Sequence, residues 1–315
     1  MAQKTQLPYL EDFLLYIQTN NYSKETLYNY ERDLHTFENF LTQEMSALPF
    51  SNVTKRTVEQ FKAYLTSYDR KSATGEKTHK TLASGSINRI LSSVRRYLAY
   101  LIDMDHKVPV APESLKLLRM EKKHPQVAEL AQLVQLIEYP TNGEKEKMVS
   151  LRNRAMLEML FATGMRISEL VSLKRSQIDK TGRIFIMGKG KKQRFVYLTR
   201  RAMEHTQNYT KERADDNPYL FIPYRGKNTP AKSSAISTNY LQMKIKQYRE
   251  LIGINVPTSA HSLRHGFATY LAEKGANPAA IQILLGHESL DTTTRYVHAS
   301  DKYAEKTHKK FHPLK

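Results

Sequence analysis

At 315 residues, with 40% hydrophobic and 25% charged residues, the chain has the length and composition of a soluble globular protein of two ordinary domains. A formal net charge of +18 and a pI near 9.7 favour a polyanionic partner, nucleic acid ahead of an acidic membrane. The absence of cysteine excludes disulfides and thiolate metal sites. The N-terminus lacks an apolar signal core and no later run is long enough to span a bilayer, so a cytoplasmic location without a membrane partner is expected.

Leu10, Phe13, Leu14 and Ile17 recur at helical steps. Ser23 is a candidate N-cap for a second helix through Leu27, Tyr30, Leu34, Phe37 and Leu41. Thr54 or Thr57 opens a third, with Val58, Phe61 and Leu65 inward. Asp69 to Ser84 is polar, basic and contains Gly75, which reads as an exposed loop. Ser86 to Ile102 then carries one apolar stripe from Ile87 to Leu101. Arg89, Arg95 and Arg96 lie off that stripe; phosphate contact and plain solvation of a helix face are even readings for them. This half is predicted to be a bundle of about four helices without a sheet. The Pro-bounded basic run Val108 to Pro125 reads as an interdomain linker, giving an N-terminal domain over 1–107 and a second domain over 126–315.

The second half opens with a short helix, Val127 to Ile137, followed by the strongly apolar helix Arg152 to Thr163. Gly164 stands where a C′ glycine belongs. Arg166 follows at once, either aimed from a buried helix end or capping the carbonyls of that helix. Arg183 to Met187 and Arg194 to Leu198 are β-rich runs around the turn sequence G-K-G-K-K-Q. Lys189 sits between two glycines at the tip of this hairpin, well placed to reach into a groove, with a generic basic hairpin tip as the alternative; Lys191, Lys192 and Arg194 are candidate DNA contacts. Asn239 to Leu251 is helical. Thr258 or Ser259 caps a helix running to Lys274, on which His261 and Arg264 share a face. His265, four residues after His261, raises a zinc site, but no H-E-x-x-H, cysteine or carboxylate pair completes one. Asn277 caps a helix with Pro278 at N1 and Gly286 at C′. His287 follows, and Tyr296 lies nine residues further on.

Two guanidiniums, two imidazoles, a lysine and a phenol suit attack on a phosphodiester without metal or other cofactor. Arg166 and Arg264 would clamp the non-bridging oxygens, and Tyr296 would be the nucleophile of a covalent intermediate. A phenol with a pKa of about 10 needs a base, for which His261 is the candidate. Lys189 is the candidate acid for the leaving 5′-oxygen, and His287 would hydrogen-bond the phosphate.

The segments A-T-G-M-R-I-S-E-L, G-K-G-K-K-Q-R, H-S-L-R-H-G-F-A-T and L-L-G-H-E-S-L-D-T-T-T-R-Y-V-H, in this order, closely resemble the tyrosine recombinase (phage integrase) family. The resemblance implies a mainly α protein: an N-terminal four-helix core-binding (SAM-like) domain and an α-rich catalytic domain with a small antiparallel sheet. It implies Arg166, Lys189, His261, Arg264 and His287 as active-site residues and Tyr296 as nucleophile of a 3′-phosphotyrosine intermediate. The partners it implies are double-stranded DNA with a specific recombination site and a homotetramer, or a heterotetramer with a related recombinase, on two duplexes. Within the family the chain looks most like the Xer-type recombinases, whose basic His-Pro ending resembles K-K-F-H-P-L-K; such a tail would dock on a neighbouring protomer. Chromosome or plasmid dimer resolution is the role this implies. An integrase of a mobile element, a type IB-like topoisomerase and a non-catalytic DNA-binding regulator are the alternatives. Gly266 departs from the Ser or Thr usual after L-R-H, and the loop Asp69 to Ser84 is longer than expected.

Overall fold

The computed structural model describes residues 7–67, 81–120, 128–187, 193–224 and 234–286. It contains two units, Met1–Lys123 and His124–Lys315, each with its own apolar core.

In the first unit four helices, α1 (Leu10–Thr19), α2 (Lys24–Asn39), α3 (Lys55–Thr66) and α4 (Ser84–Asp103), bury the periodic apolar residues that the sequence predicts. Ser23 caps α2 by accepting the Thr26 backbone N–H at 3.2 Å. Both candidate threonines serve α3: Thr54 is the N-cap and Thr57 completes the capping box. After Asn39 the second helix continues as a π-helical turn, Phe40–Glu44. A 3₁₀ turn, Pro112–Ser114, lies in the segment expected to be a linker, and Val110 and Leu115 there are buried in the first unit's core. The described part of that segment is therefore packed against the bundle rather than free.

The second unit is built around α7 (Lys147–Thr163). Eleven of its residues are buried, so apolar side chains surround it and α9 (Arg200–Lys211) and α11 (Ala260–Glu273) pack on it. It begins five residues before the predicted Arg152, because Val149 is already inside. Ahead of it lie α5 (Leu130–Glu138) and the single turn α6 (Pro140–Gly143); behind it α8 (Ile167–Val171), then the hairpin β1 (Arg183–Met187) and β2 (Gln193–Tyr197). The strands are antiparallel, with Phe185 opposite Phe195 and Met187 opposite Gln193. Helix α10 (Thr238–Leu251) precedes α11, and α12 (Pro278–Leu285) follows it. The molecule is thus mainly α-helical, an N-terminal helical unit plus a unit containing a small two-stranded antiparallel sheet. Among the described residues no helix is long and apolar enough to cross a membrane.

Two glycines bring three helices together. Gly164 closes α7 at φ 61° and Gly286 closes α12 at φ 63°, both left-handed. A side chain on Gly164 would overlap the Phe267 ring of α11 and touch Leu285 of α12. The ends of α7 and α12 can approach because nothing projects from the first of them. A small cluster of Ala268, Ala272, Ile281 and Leu285 holds α12 against α11.

Candidate active site

Ser259 accepts the Ser262 backbone N–H at 3.2 Å and so fixes the first turn of α11. One turn on, Arg264 is buried, with 3% of its surface exposed. It donates from one amino group to the Gly164 carbonyl at 2.7 Å and from the other to the Leu285 carbonyl at 2.7 Å. Arg166 is the N-cap residue of α8 and extends along the same helix end: it donates to the Gly286 carbonyl at 3.3 Å. The two guanidiniums therefore converge on neighbouring carbonyls at the C-terminus of α12, where the helix dipole favours cations. Capping of α7, the alternative role considered for Arg166, falls to Arg264.

His261 lies in the first turn of α11, one turn before Arg264, with its ring against His265 at 4.4 Å between centroids. Its pKa is lowered by partial desolvation, then by Arg264, then by Arg166. Burial and both cations favour the neutral imidazole, the form that can accept a proton.

Two residues acquire roles that the motif reading did not give them. Glu169 is buried and binds Arg166 twice, accepting its backbone N–H at 2.7 Å and its guanidinium at 3.0 Å. Burial raises its pKa, but the Arg194 hydrogen bond, the Arg166 backbone N–H and the charges of Arg194 and Arg166 outweigh burial, so the net shift is downward. Arg194 was expected at the DNA surface and is instead turned inward, forked onto the two Glu169 oxygens at 3.0 and 2.7 Å. The strand's alternation carries this signal: Arg194 has the same parity as buried Val196. Glu169 was signalled by its place at N3 of a helix whose N-cap is Arg166.

Of the candidate contacts in the first unit, Arg89 pairs with the buried carboxylate of Asp33, which also accepts the Ser93 hydroxyl at 2.8 Å. Arg96 donates to the Tyr16 hydroxyl at 2.8 Å. Both keep part of their side chain at the surface, as does the half-buried Arg95. Lys189, Lys191, Lys192, His287 and Tyr296 lie outside the described residues.

The model of the phage integrase family matches residues 126–303, and that of the phage integrase N-terminal SAM-like domain matches residues 10–104. The chain is 30% identical over 315 aligned positions to tyrosine recombinase XerC of Lactobacillus delbrueckii subsp. bulgaricus, covering 97% of this chain and 99% of that one. It is 29% identical to tyrosine recombinase XerD of Staphylococcus saprophyticus subsp. saprophyticus, covering 96% and 98%. A crystal structure of XerH site-specific recombinase bound to palindromic difH substrate, a post-cleavage complex, shares the fold at a TM-score of 0.71 and 23% identity, covering 95% of this chain and 82% of that one. With one family model spanning the second unit, another spanning the first, and relatives matched end to end, the chain belongs to the phage integrase, or tyrosine recombinase, family.

Proposed function

We propose that this protein is a site-specific DNA recombinase that cuts and rejoins strands through a covalent 3′-phosphotyrosine. The observation that carries the reading is the convergence of Arg166 and Arg264 on neighbouring carbonyls at the end of α12, with His261 one turn before Arg264 on α11. Phosphoryl transfer needs little from a protein beyond alignment and neutralisation of charge on the equatorial oxygens. Arg166 and Arg264 supply fixed positive charge there. Tyr296 attacks phosphorus, its proton passing to His261, and the P–O5′ bond breaks with Lys189 delivering a proton to the leaving oxygen. His287 hydrogen-bonds the phosphate. Because the phosphotyrosine preserves the ester's energy, a 5′-hydroxyl from a second duplex reverses the step without a nucleotide cofactor. The reading extends to a core-binding domain over 1–107, a catalytic domain over 126–315, and four protomers on two duplexes, each lending its C-terminal tail to a neighbour.

Within the family we assign an Xer-like role in resolving chromosome or plasmid dimers. Support comes from near-complete coverage of both XerC and XerD relatives at almost equal identity. The test is a plasmid carrying two direct copies of the duplex that the protein itself enriches from a random-sequence pool. Excision of the intervening segment is expected. Relaxation of supercoils with no excision would make the protein a topoisomerase, and binding with neither product would make it a regulator.

A further inference from the structure

Three consecutive carbonyls at the end of α12 are each taken by a different arginine: Leu284 by Arg194, Leu285 by Arg264 and Gly286 by Arg166. The arginines come from β2, α11 and the start of α8. Two of them meet one carboxylate. Oε1 of Glu169 accepts the guanidiniums of Arg194 and Arg166, both at 3.0 Å. Oε2 accepts Arg194 and the Arg166 backbone N–H, both at 2.7 Å. The side chains of Arg194 and Glu169 are 6% and 8% exposed, whereas that of Arg166 is 37% exposed. Gly286 leaves just enough room: a Cβ there would lie 3.0 Å from Arg194 Cδ and 3.1 Å from its Nη1.

The charges on this trio have a chemical consequence. Glu169 with Arg166 alone is a neutral pair, and a neutral pair is a poor clamp for a phosphate dianion in the transition state. Adding Arg194 returns the group to a net single positive charge and places the surplus on Arg166, the only one of the three open to solvent. Arg194 itself is too enclosed to reach DNA. Its fork matches the carboxylate bidentately, which a lysine cannot do.

Building on the recombinase reading, we propose that Arg194 is a positioning residue for strand cleavage: by neutralising Glu169 it leaves the Arg166 charge available to the scissile phosphate, and through the Leu284 carbonyl it fixes the helix end that both active-site arginines touch. Loss of Arg194 would leave Glu169 with Arg166 as its remaining guanidinium partner in the trio and pull it from the phosphate. The distinguishing corollary is a rescue. Removing the carboxylate charge as well restores the net positive charge and with it part of the rate.

The experiment measures single-turnover cleavage by the full-length protein at saturating DNA. The substrate is a suicide duplex, nicked near the cut, built on the sequence enriched from a random pool; DNA affinity and thermal unfolding are recorded alongside. Arg194→Gln is expected to cleave about 100-fold more slowly, the order of loss that misplacing one reacting group brings, with DNA affinity within about threefold. Adding Glu169→Gln to it is expected to recover about tenfold, a non-additive result for two groups in contact. Arg194→Lys, which keeps the charge and loses the fork, is expected to stay within about tenfold of wild type. A double variant slower than Arg194→Gln, or Arg194→Gln cleaving at the wild-type rate, overturns the proposal while wild-type cleavage upholds the recombinase reading. If Arg194→Gln does not fold, Arg194→Lys decides alone: a loss as deep as that of Arg264→Ala overturns the proposal. A wild-type protein that forms no adduct overturns the functional reading and this proposal together.

Discussion

One proton on His261 decides whether that ring can act as a base. Desolvation and the neighbouring Arg264 and Arg166 each favour the neutral ring, so its titration midpoint lies below the ordinary 6.5. An NMR titration of the His261 ring should show this, and Arg264→Gln should move the midpoint upward by removing one repelling charge. A midpoint at or above 6.5, unmoved in the variant, would remove the electrostatic argument for His261 as base. Arg264 itself carries a second expectation. Arg264→Ala should slow cleavage by about 100- to 1,000-fold, as loss of a donor to developing oxyanion charge does. DNA affinity should fall by less than about tenfold, since other phosphate contacts remain. A parallel loss of both, in a protein that remains folded by thermal unfolding, would make Arg264 a binding residue only. That Arg166, His261 and Arg264 are candidates for one site was accessible from residue type and spacing. That Arg194 faces inward follows only when the strand's alternation is set against its charge, because arginine near a basic turn reads first as a DNA contact.

At the level of elements, the close approach of α7, α11 and α12 depends on a residue without a side chain. Gly164→Ala would place a Cβ into the Phe267 ring at a backbone conformation of φ 61°. The strain and overpacking together should destabilise the second unit by about 2–4 kcal/mol, measured by denaturant unfolding. A change under about 0.5 kcal/mol, the range of an ordinary surface substitution, would show that the helix ends tolerate separation. The caps at Ser23 and Asn277 could be read directly, and those at Thr54 and Ser259 to one of two candidates each, because hydroxyl and amide side chains before an apolar run satisfy free N–H groups. Helix α9 could not: its inward positions are Ala202, Thr206 and Tyr209, too small or too polar to register as an apolar stripe. The early start of α7 was hidden because Val149 is the one buried residue of its first turn, too little to register as an apolar stripe. The β2 strand runs one residue earlier than its apolar run indicates, since Gln193 pairs with Met187.

For the molecule as a whole, a +18 charge and two separate cores describe a basic protein of two units, and both properties were evident from composition and periodicity. The packing of Val110 and Leu115 was not, because a proline-rich basic stretch carries the composition of a linker even where its few apolar residues are buried. The functional account joins these levels in one claim: fixed cations gathered from α8 and α11 at the end of α12 let the Tyr296 oxygen break and hold a DNA strand without a metal ion. The most direct measurement is a denaturing gel of full-length protein incubated in EDTA with the suicide duplex, followed by mass spectrometry of the attached peptide. The account predicts a covalent adduct at Tyr296, a free 5′-hydroxyl on the released strand, and no adduct with Tyr296→Phe. An adduct that persists in Tyr296→Phe, or cleavage that appears only when a divalent metal is supplied, would contradict it.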